Sequence, residues 1–300
     1  MVAVRTLTLL LCFHVVAGAA PTGRQPSTLR PPIARLGPSQ AQSVGASRTA
    51  RVRQWRNPRD GMLFVWVPEG SFRLEPGEGQ SYTTPPQRFN VSNGYWLGRT
   101  EVTRAQFARF VKESGYVTEA EKARNRWTWR DPGFRQRGDH PAVYIGFSDA
   151  QRYAEWAGVS LPTEAEWLHG CLAGSEAVYP WGNKMDDRRA WHRENAGDGT
   201  RPVGRKLPNA WGLCDMVGNA QEWCRSGAVG VFRGGSWTRC PGYRYLDGRW
   251  MEPFTWELAR KLHDGSPVLQ YPWDDDRGFR CIRRVGPVVG EVTPPPSASH

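Results

Sequence analysis

Fifteen tryptophans stand in a chain that also carries 33 glycines and 24 prolines, and this mixture limits the fold more than any other feature. Proline costs a helix interior about 3 kcal/mol and glycine about 1 kcal/mol. Helices long enough to build a bundle would have to absorb many such residues. Large aromatic side chains bury much apolar surface each and tolerate irregular backbone around them. The composition therefore predicts a loop-rich fold, with short strands and aromatics in the core. A chain of 300 residues is long enough to bury a sizeable core, in one large domain or two.

Lysine and arginine number 40 against 29 aspartates and glutamates, a net charge of +11. That balance suits an anionic partner. The arginines are scattered, no run of five or six occurs, and no nucleic-acid motif is present. Nucleic acid is therefore not expected, while an acidic or sulfated ligand stays compatible with the charge.

Residues 1–20 read as a secretory signal peptide. Arg5 supplies the positive start, Thr6 to Val16 the apolar stretch and Ala17-Gly18-Ala19 the cleavage site. The apolar stretch is too short to span a bilayer, and no later segment spans one. The mature chain is expected to be secreted or periplasmic. Residues 21–56 are rich in Pro, Ser, Gln, Gly and Arg without an apolar period, which predicts a disordered linker. The folded domain is placed at 57–288, with its first strand near Gly61, and residues 289–300 form a polar, disordered tail. Five cysteines follow the signal: Cys171, Cys214, Cys224, Cys240 and Cys281. An oxidising compartment favours disulfides, and an odd count leaves at least one thiol without a partner in the chain.

Met62 to Val67 has the continuous apolar character of a buried strand and ends at Pro68-Glu69-Gly70. Further short strands are predicted at Phe89–Tyr95 and Trp96–Glu101. Thr103 with Gln106 forms a capping box before a helix whose Phe107, Phe110 and Val111 share a face. A second helix starts at Ser148-Asp149 and closes at Gly158. A third starts at Thr163, capped with Glu166. The irregular stretch from Trp181 to Arg233 is long, and loops of that length need a metal ion or a disulfide to hold them.

Several short motifs occur in order. Tyr95-Trp96-Leu97-Gly98-Arg99-Thr100-Glu101-Val102-Thr103 is followed by Gly115-Tyr116-Val117-Thr118-Glu119-Ala120-Glu121-Lys122 and His140-Pro141-Ala142-Val143. Then come Leu161-Pro162-Thr163-Glu164-Ala165-Glu166-Trp167 and Tyr179-Pro180-Trp181-Gly182-Asn183. Gly212-Leu213-Cys214-Asp215-Met216-Val217-Gly218-Asn219-Ala220-Gln221-Glu222-Trp223, Arg233-Gly234-Gly235-Ser236-Trp237 and Gly278-Phe279-Arg280 complete the set. Each is weak alone. Together, over roughly residues 61–285, they resemble the formylglycine-generating enzyme or sulfatase-modifying factor family. The resemblance implies a single α+β domain with little regular structure, the sulfatase-modifying-factor variant of the C-type lectin fold.

The resemblance also implies a calcium site, with Asp215 and Glu222 as side-chain ligands and carbonyls from Gly218 and Ala220. Hard oxygen donors around a glycine turn suit that ion. A second calcium site is implied at Asn195 and Asp198. Arg233, Ser236 and Trp237 correspond to a substrate groove. Catalytic members of the family oxidise a sulfatase cysteine to formylglycine with oxygen, using Cu(I) between two cysteines just after the GGS turn. Soft thiolates suit Cu(I). Here the stretch just after Ser236 holds only Cys240, one position later than the first copper cysteine would stand, and the second cysteine is replaced near Gly242. Re-pairing of Cys171 with Cys281, and of Cys214 with Cys224, is among the disulfide arrangements left open. The segment from Trp250 to Trp273, followed by Asp274-Asp275-Asp276, has the make-up of an aromatic and acidic binding rim. The expected function is an exported, calcium-stabilised domain that binds a protein or peptide, exported sulfatases among them, or a glycan. The alternative is an oxygen-dependent oxidoreductase of the formylglycine-generating type using Cys240.

Overall fold

The structure is a computed structural model, and it describes residues 52–74, 87–177, 179–238 and 273–285. Four helices and nine strands are present among them. The main antiparallel sheet runs β1 (Gln54–Arg56), β2 (Leu63–Val67), β5 (Tyr95–Gly98), β9 (Ile282–Arg284). A two-stranded ribbon pairs β3 (Gly70–Leu74) with β4 (Gln87–Val91). A three-stranded sheet has the order β7 (Val229–Arg233), β6 (Gln221–Ser226), β8 (Arg277–Gly278), with β8 parallel to β6.

Strand β1 corrects one expected boundary. Residues 54–56 lie in the stretch read as linker, yet Gln54, Trp55 and Arg56 pair with Val65, Phe64 and Leu63. Trp55 packs against Phe64 with tilted rings whose centres are 5.1 Å apart, and that apolar contact in a polar-looking segment draws the chain into the sheet. The strands expected at Phe89–Tyr95 and Trp96–Glu101 are instead β4 and β5, separated at Ser92-Asn93-Gly94.

Each helix starts and stops on a local signal. Thr103 caps α1 (Arg104–Ser114) with Gln106 in a reciprocal box, and Gly115 ends it in the left-handed conformation. α2 (Glu119–Lys122) is a single turn boxed by Thr118 and Glu121. α3 (Phe147–Ala157) begins after Gly146, whose N–H donates to Asp149, and ends at Gly158. α4 (Glu164–Leu172) is boxed by Thr163 and Glu166.

The main sheet separates two apolar cores. Phe64, Phe107, Phe110, Tyr153 and Phe279 pack with α1 and α3 on one side. Val65, Leu97, Trp167, Leu168 and Ile282 pack with α4 on the other. No helix among the described residues is long and apolar enough to cross a membrane. Cys171, Cys214, Cys224 and Cys281 are free and buried, so none of the expected pairings among them forms. Cys171 belongs to the α4 core and Cys281 to the opposite one, which keeps those two sulfurs apart. The long irregular stretch is held by side chains bonding backbone. Asn209 Nδ2 donates to the carbonyls of Gly170 and Cys171, and its Oδ1 accepts from the N–H groups of Trp211 and Leu213.

Candidate functional site

Two neighbouring constructions arise from the motif-bearing loops. The first lies under the loop from Asp215 to Glu222. Asp215 and Asn219 take left-handed backbone, at φ 54° and 60°, which short carboxamide and carboxylate side chains tolerate. Gly218 is required by space: a Cβ there would meet the Trp191 carbonyl oxygen at 1.9 Å. Asn219 accepts from Arg201 N–H at 2.8 Å and donates to Glu101 Oε1 at 2.9 Å. Arg280 is fully buried beneath it. Its guanidinium donates to both oxygens of Glu222, at 2.5 and 2.6 Å, and to the carbonyls of Gly98 and Cys214. Trp167 Nε1 also donates to Glu222 Oε2, at 2.6 Å.

This arrangement changes the role expected of Glu222. Both its oxygens bond to Arg280 and Trp167, which makes Glu222 an internal counter-ion in this structure. Among the described residues no group of three or more His, Cys, Asp or Glu side chains is placed to hold a metal ion. Asp215 behaves differently: its Oδ2 accepts from Gly204 N–H, while its buried Oδ1 has no hydrogen-bond partner. Glu101 Oε2 is likewise buried and unpartnered. Burial, then repulsion from Asp215 and Glu222, raises the Glu101 pKa well above the carboxylate range. Burial also pushes Asp215 up to about 6. The two residues of the implied second calcium site lie in one loop. Asn195 closes its own turn by accepting from His192 N–H and donating to the Ala190 carbonyl, and Asp198 is exposed.

The second construction is the turn after β7. Gly234 and Gly235 have φ of 101° and 69°, a bend that side-chain-bearing residues resist. Arg233 does not line a groove. It is buried, pairs with Glu164 at the start of α4 and donates to the Phe232 carbonyl. Ser236 and Trp237 do come together with the segment before β8. Ser236 Oγ donates to Asp276 Oδ2 at 2.7 Å, and the same oxygen accepts from Gln221 Nε2 and Thr238 Oγ1, each at 3.3 Å. Trp237 Nε1 donates to the Asp275 carbonyl, and its ring packs on Phe134 at 5.3 Å. Val143, Tyr144 and Ala220 form the floor, with Trp127, Phe134 and Trp273 packed around it. Burial and the neighbouring Asp276 and Asp274 push Asp275 up to about 6. Burial and Asp275 push the Tyr144 phenol up to about 12. Tyr144 also holds φ 56°, which a bulky aromatic residue adopts only when its surroundings fix it.

A domain family described as sulfatase-modifying factor enzyme 1-like matches residues 50–285. The chain belongs to that family. Formylglycine-generating enzyme of Streptomyces coelicolor is 31% identical over 290 residues, covering 71% of this chain and 90% of the relative. Inactive C-alpha-formylglycine-generating enzyme 2 of Bos taurus is 30% identical over 284 residues, covering 76% and 90%. Formylglycine-generating enzyme of Bos taurus is 32% identical over 218 residues, and the match spans 55% of this chain and 58% of that protein's length. The structure of PvdO from Pseudomonas aeruginosa shares the fold, with a TM-score of 0.56 at 22% identity over 78% of this chain and 98% of its own. An enzyme and a relative named inactive thus match to nearly the same degree, and overall identity does not decide between them.

Within this family frame, Arg280, Glu101, Asp276, Gln221 and Tyr144 are the residues that the motif reading did not single out. Glu101, Gln221 and Arg280 stood inside quoted motifs, and the Asp274–Asp276 run was read only as a rim. Cys240, Trp250 and the rest of that aromatic segment up to Tyr271 lie outside the described residues, as do the predicted signal peptide and tail. Between Ser236 and Cys281 the sequence holds one cysteine, Cys240. Burial raises the thiol pKa of all four described cysteines, that of Cys214 to about 11.

Proposed function

We propose that this protein is an exported member of the sulfatase-modifying factor family that works as a binding domain, taking a peptide or partner protein at the Ser236–Asp276 face. The observation that carries the reading is the triple engagement of Asp276 Oδ2 by Ser236, Thr238 and Gln221. It fixes a hydroxyl–carboxylate cluster within an aromatic frame of Trp237, Phe134 and Trp273. Such a cluster is rigid, hydrogen-bonding and set among apolar surfaces, the make-up of a recognition site. This reading needs no copper, and it is supported by the single cysteine, Cys240, between Ser236 and Cys281.

Calcium enters this reading as a structural ion with Asp215 as its side-chain ligand, alongside carbonyls of Gly218 and Ala220. The unpartnered Asp215 Oδ1 is the support for it. A calcium titration followed by thermal unfolding tests this part: stabilisation in the wild type and none in Asp215→Asn is the expected result.

The binding reading is tested with peptides carrying the cysteine-containing sulfatase motif. Saturable binding that Trp237→Ala and Asp275→Asn abolish supports it, and binding that neither substitution alters rejects this face. The second reading, an oxygen-dependent oxidoreductase using Cys240, is favoured by the 31% identity with the Streptomyces coelicolor enzyme across 90% of that relative. Oxidation of the same peptides, lost in Cys240→Ser, would establish it in place of the first.

A further inference from the structure

One side of the main sheet carries a layer of arginine on indole. Trp66 of β2 lies opposite Trp96 of β5, which lies opposite Arg283 of β9. Trp55 of β1 pairs with Phe64, two residues from Trp66, and so joins the same side. The Arg53 guanidinium sits 4.6 Å from the Trp66 ring centre and 5.6 Å from that of Trp96. The Arg283 guanidinium sits 4.3 Å from that of Trp55. The indoles are anchored from below: Trp55 and Trp96 pack on the α1–α3 core. Trp66 and Trp96 meet edge-on at 5.2 Å, and a Cβ on Gly94 would meet Trp66 Cζ2 at 2.2 Å.

The two arginines are exposed, and no carboxylate pairs with either among the described residues. That sets them apart from the surface arginines held in ion pairs. Arg109, Arg137, Arg152 and Arg188 are each tied to a glutamate or aspartate. A guanidinium stacked on an indole leaves its N–H edge free to grip a planar or tetrahedral oxyanion with two hydrogen bonds. The stacking also holds the side chain still, so little freedom is lost when an anion arrives. Two such groups, flanking half-buried tryptophan rings on a rigid sheet, present anion sites beside apolar platforms.

We infer that this sheet face binds an acidic polysaccharide, with Arg53 and Arg283 pairing its sulfate or carboxylate groups and the Trp55, Trp66 and Trp96 surfaces taking the sugar rings. Charge complementarity on a chain of net charge +11 supports an anionic occupant. Trp55, Trp66 and Trp96 are half-buried, so part of each indole stays open beside the arginines. The face is separate from the Ser236–Asp276 cluster, and the inference stands without the peptide-binding reading.

The test measures heparin binding to the full chain across a salt series centred on about 150 mM. Arg53→Ala/Arg283→Ala is compared with the control pair Arg135→Ala/Arg193→Ala, which removes equal charge from exposed sites elsewhere. The expected result is about a tenfold or greater loss of affinity in the first pair, with a salt slope reduced by about 1 to 2, and under about twofold loss in the control. Thermal unfolding of both variants close to the wild type shows that the fold survives. The inference is overturned if heparin does not bind at that salt, if both pairs weaken binding equally, or if duplex DNA competes as well as heparin.

Discussion

Arg280 and Glu222 are both fully removed from solvent and joined by two hydrogen bonds of 2.5 and 2.6 Å. The guanidinium closes the fold as much as the ion pair does, since it also holds the carbonyls of Gly98 and Cys214, 182 and 66 residues away in sequence. Burial alone would disfavour its charge, yet attraction to Glu222 outweighs that penalty and keeps its pKa raised. Removing one member leaves the other charge buried without compensation. Arg280→Met and Glu222→Gln are each expected to lower unfolding free energy by about 3 to 5 kcal/mol, read by denaturant titration. A loss below about 1 kcal/mol in both would contradict the clamp.

Gly218→Ala is a second prediction. The new methyl group meets backbone, at 1.9 Å from the Trp191 carbonyl oxygen, at a φ of 79°. Neither the clash nor the backbone strain can be relieved by turning a side chain. A loss of at least about 3 kcal/mol is expected, seen as a lowered melting temperature or as insoluble protein. Gly227→Ala has open space at its Cβ position and a φ of 59°, so its loss is expected to be smaller, about 1 kcal/mol.

Asp149 gives a pH prediction with a definite sign. Burial pushes its carboxyl up to about 6, although the N–H groups of Gly146 and Glu119 and the Tyr116 hydroxyl pull the other way. The folded protein then binds this proton more tightly than the unfolded chain. The contribution is fully present below about pH 4 and is lost as pH rises through about 6, amounting to about 3 kcal/mol at most. The stability difference between wild type and Asp149→Asn is therefore expected to shift against the wild type across that window. A difference that stays flat from pH 4 to 7 would contradict the raised pKa.

The four buried cysteines make a redox prediction. A thiol reagent applied to the native protein is expected to leave Cys171, Cys214, Cys224 and Cys281 unmodified and to label all four after unfolding. Peptide mapping of protein exported to an oxidising compartment should show no bridge among them. A Cys171–Cys281 bridge would overturn the two-core arrangement described above.

Much of the fold was legible because its signals are local. Thr103–Gln106 and Thr163–Glu166 state two helix starts within four residues each, and Gly115 and Gly158 end α1 and α3. The short pieces of the site were legible as motifs, but their partners were not. Glu222 reads equally well as a calcium ligand or as a counter-ion, and the choice depends on Arg280, 58 residues later. Arg233 likewise suits an open groove until the fold brings Glu164 against it, 69 residues earlier. Disulfides were expected from the compartment and the cysteine count, whereas Asn209 does by side-chain hydrogen bonds what a bridge was expected to do. Strand β1 was missed because three residues with one aromatic carry too little pattern to be told from linker.

Substitution at Ser236 separates structure from recognition. Ser236→Ala removes the shortest of the three bonds to Asp276 Oδ2 while leaving Thr238 and Gln221 in place. A stability loss of about 1 to 2 kcal/mol is expected, with binding of sulfatase-motif peptides weakened by more than the remaining folded fraction explains. Equal peptide affinity in folded Ser236→Ala would remove the hydroxyl from the binding face.

As proposed, this family member binds a peptide or partner protein without copper chemistry. The most direct measurement is Cu(I) titration of the metal-free protein and of Cys240→Ser, with sulfatase-motif peptides assayed for oxidation in parallel. The account predicts no stoichiometric tight copper in either protein and peptide binding without oxidation. One tightly held copper in the wild type, absent from Cys240→Ser and accompanied by oxidised peptide, would contradict it.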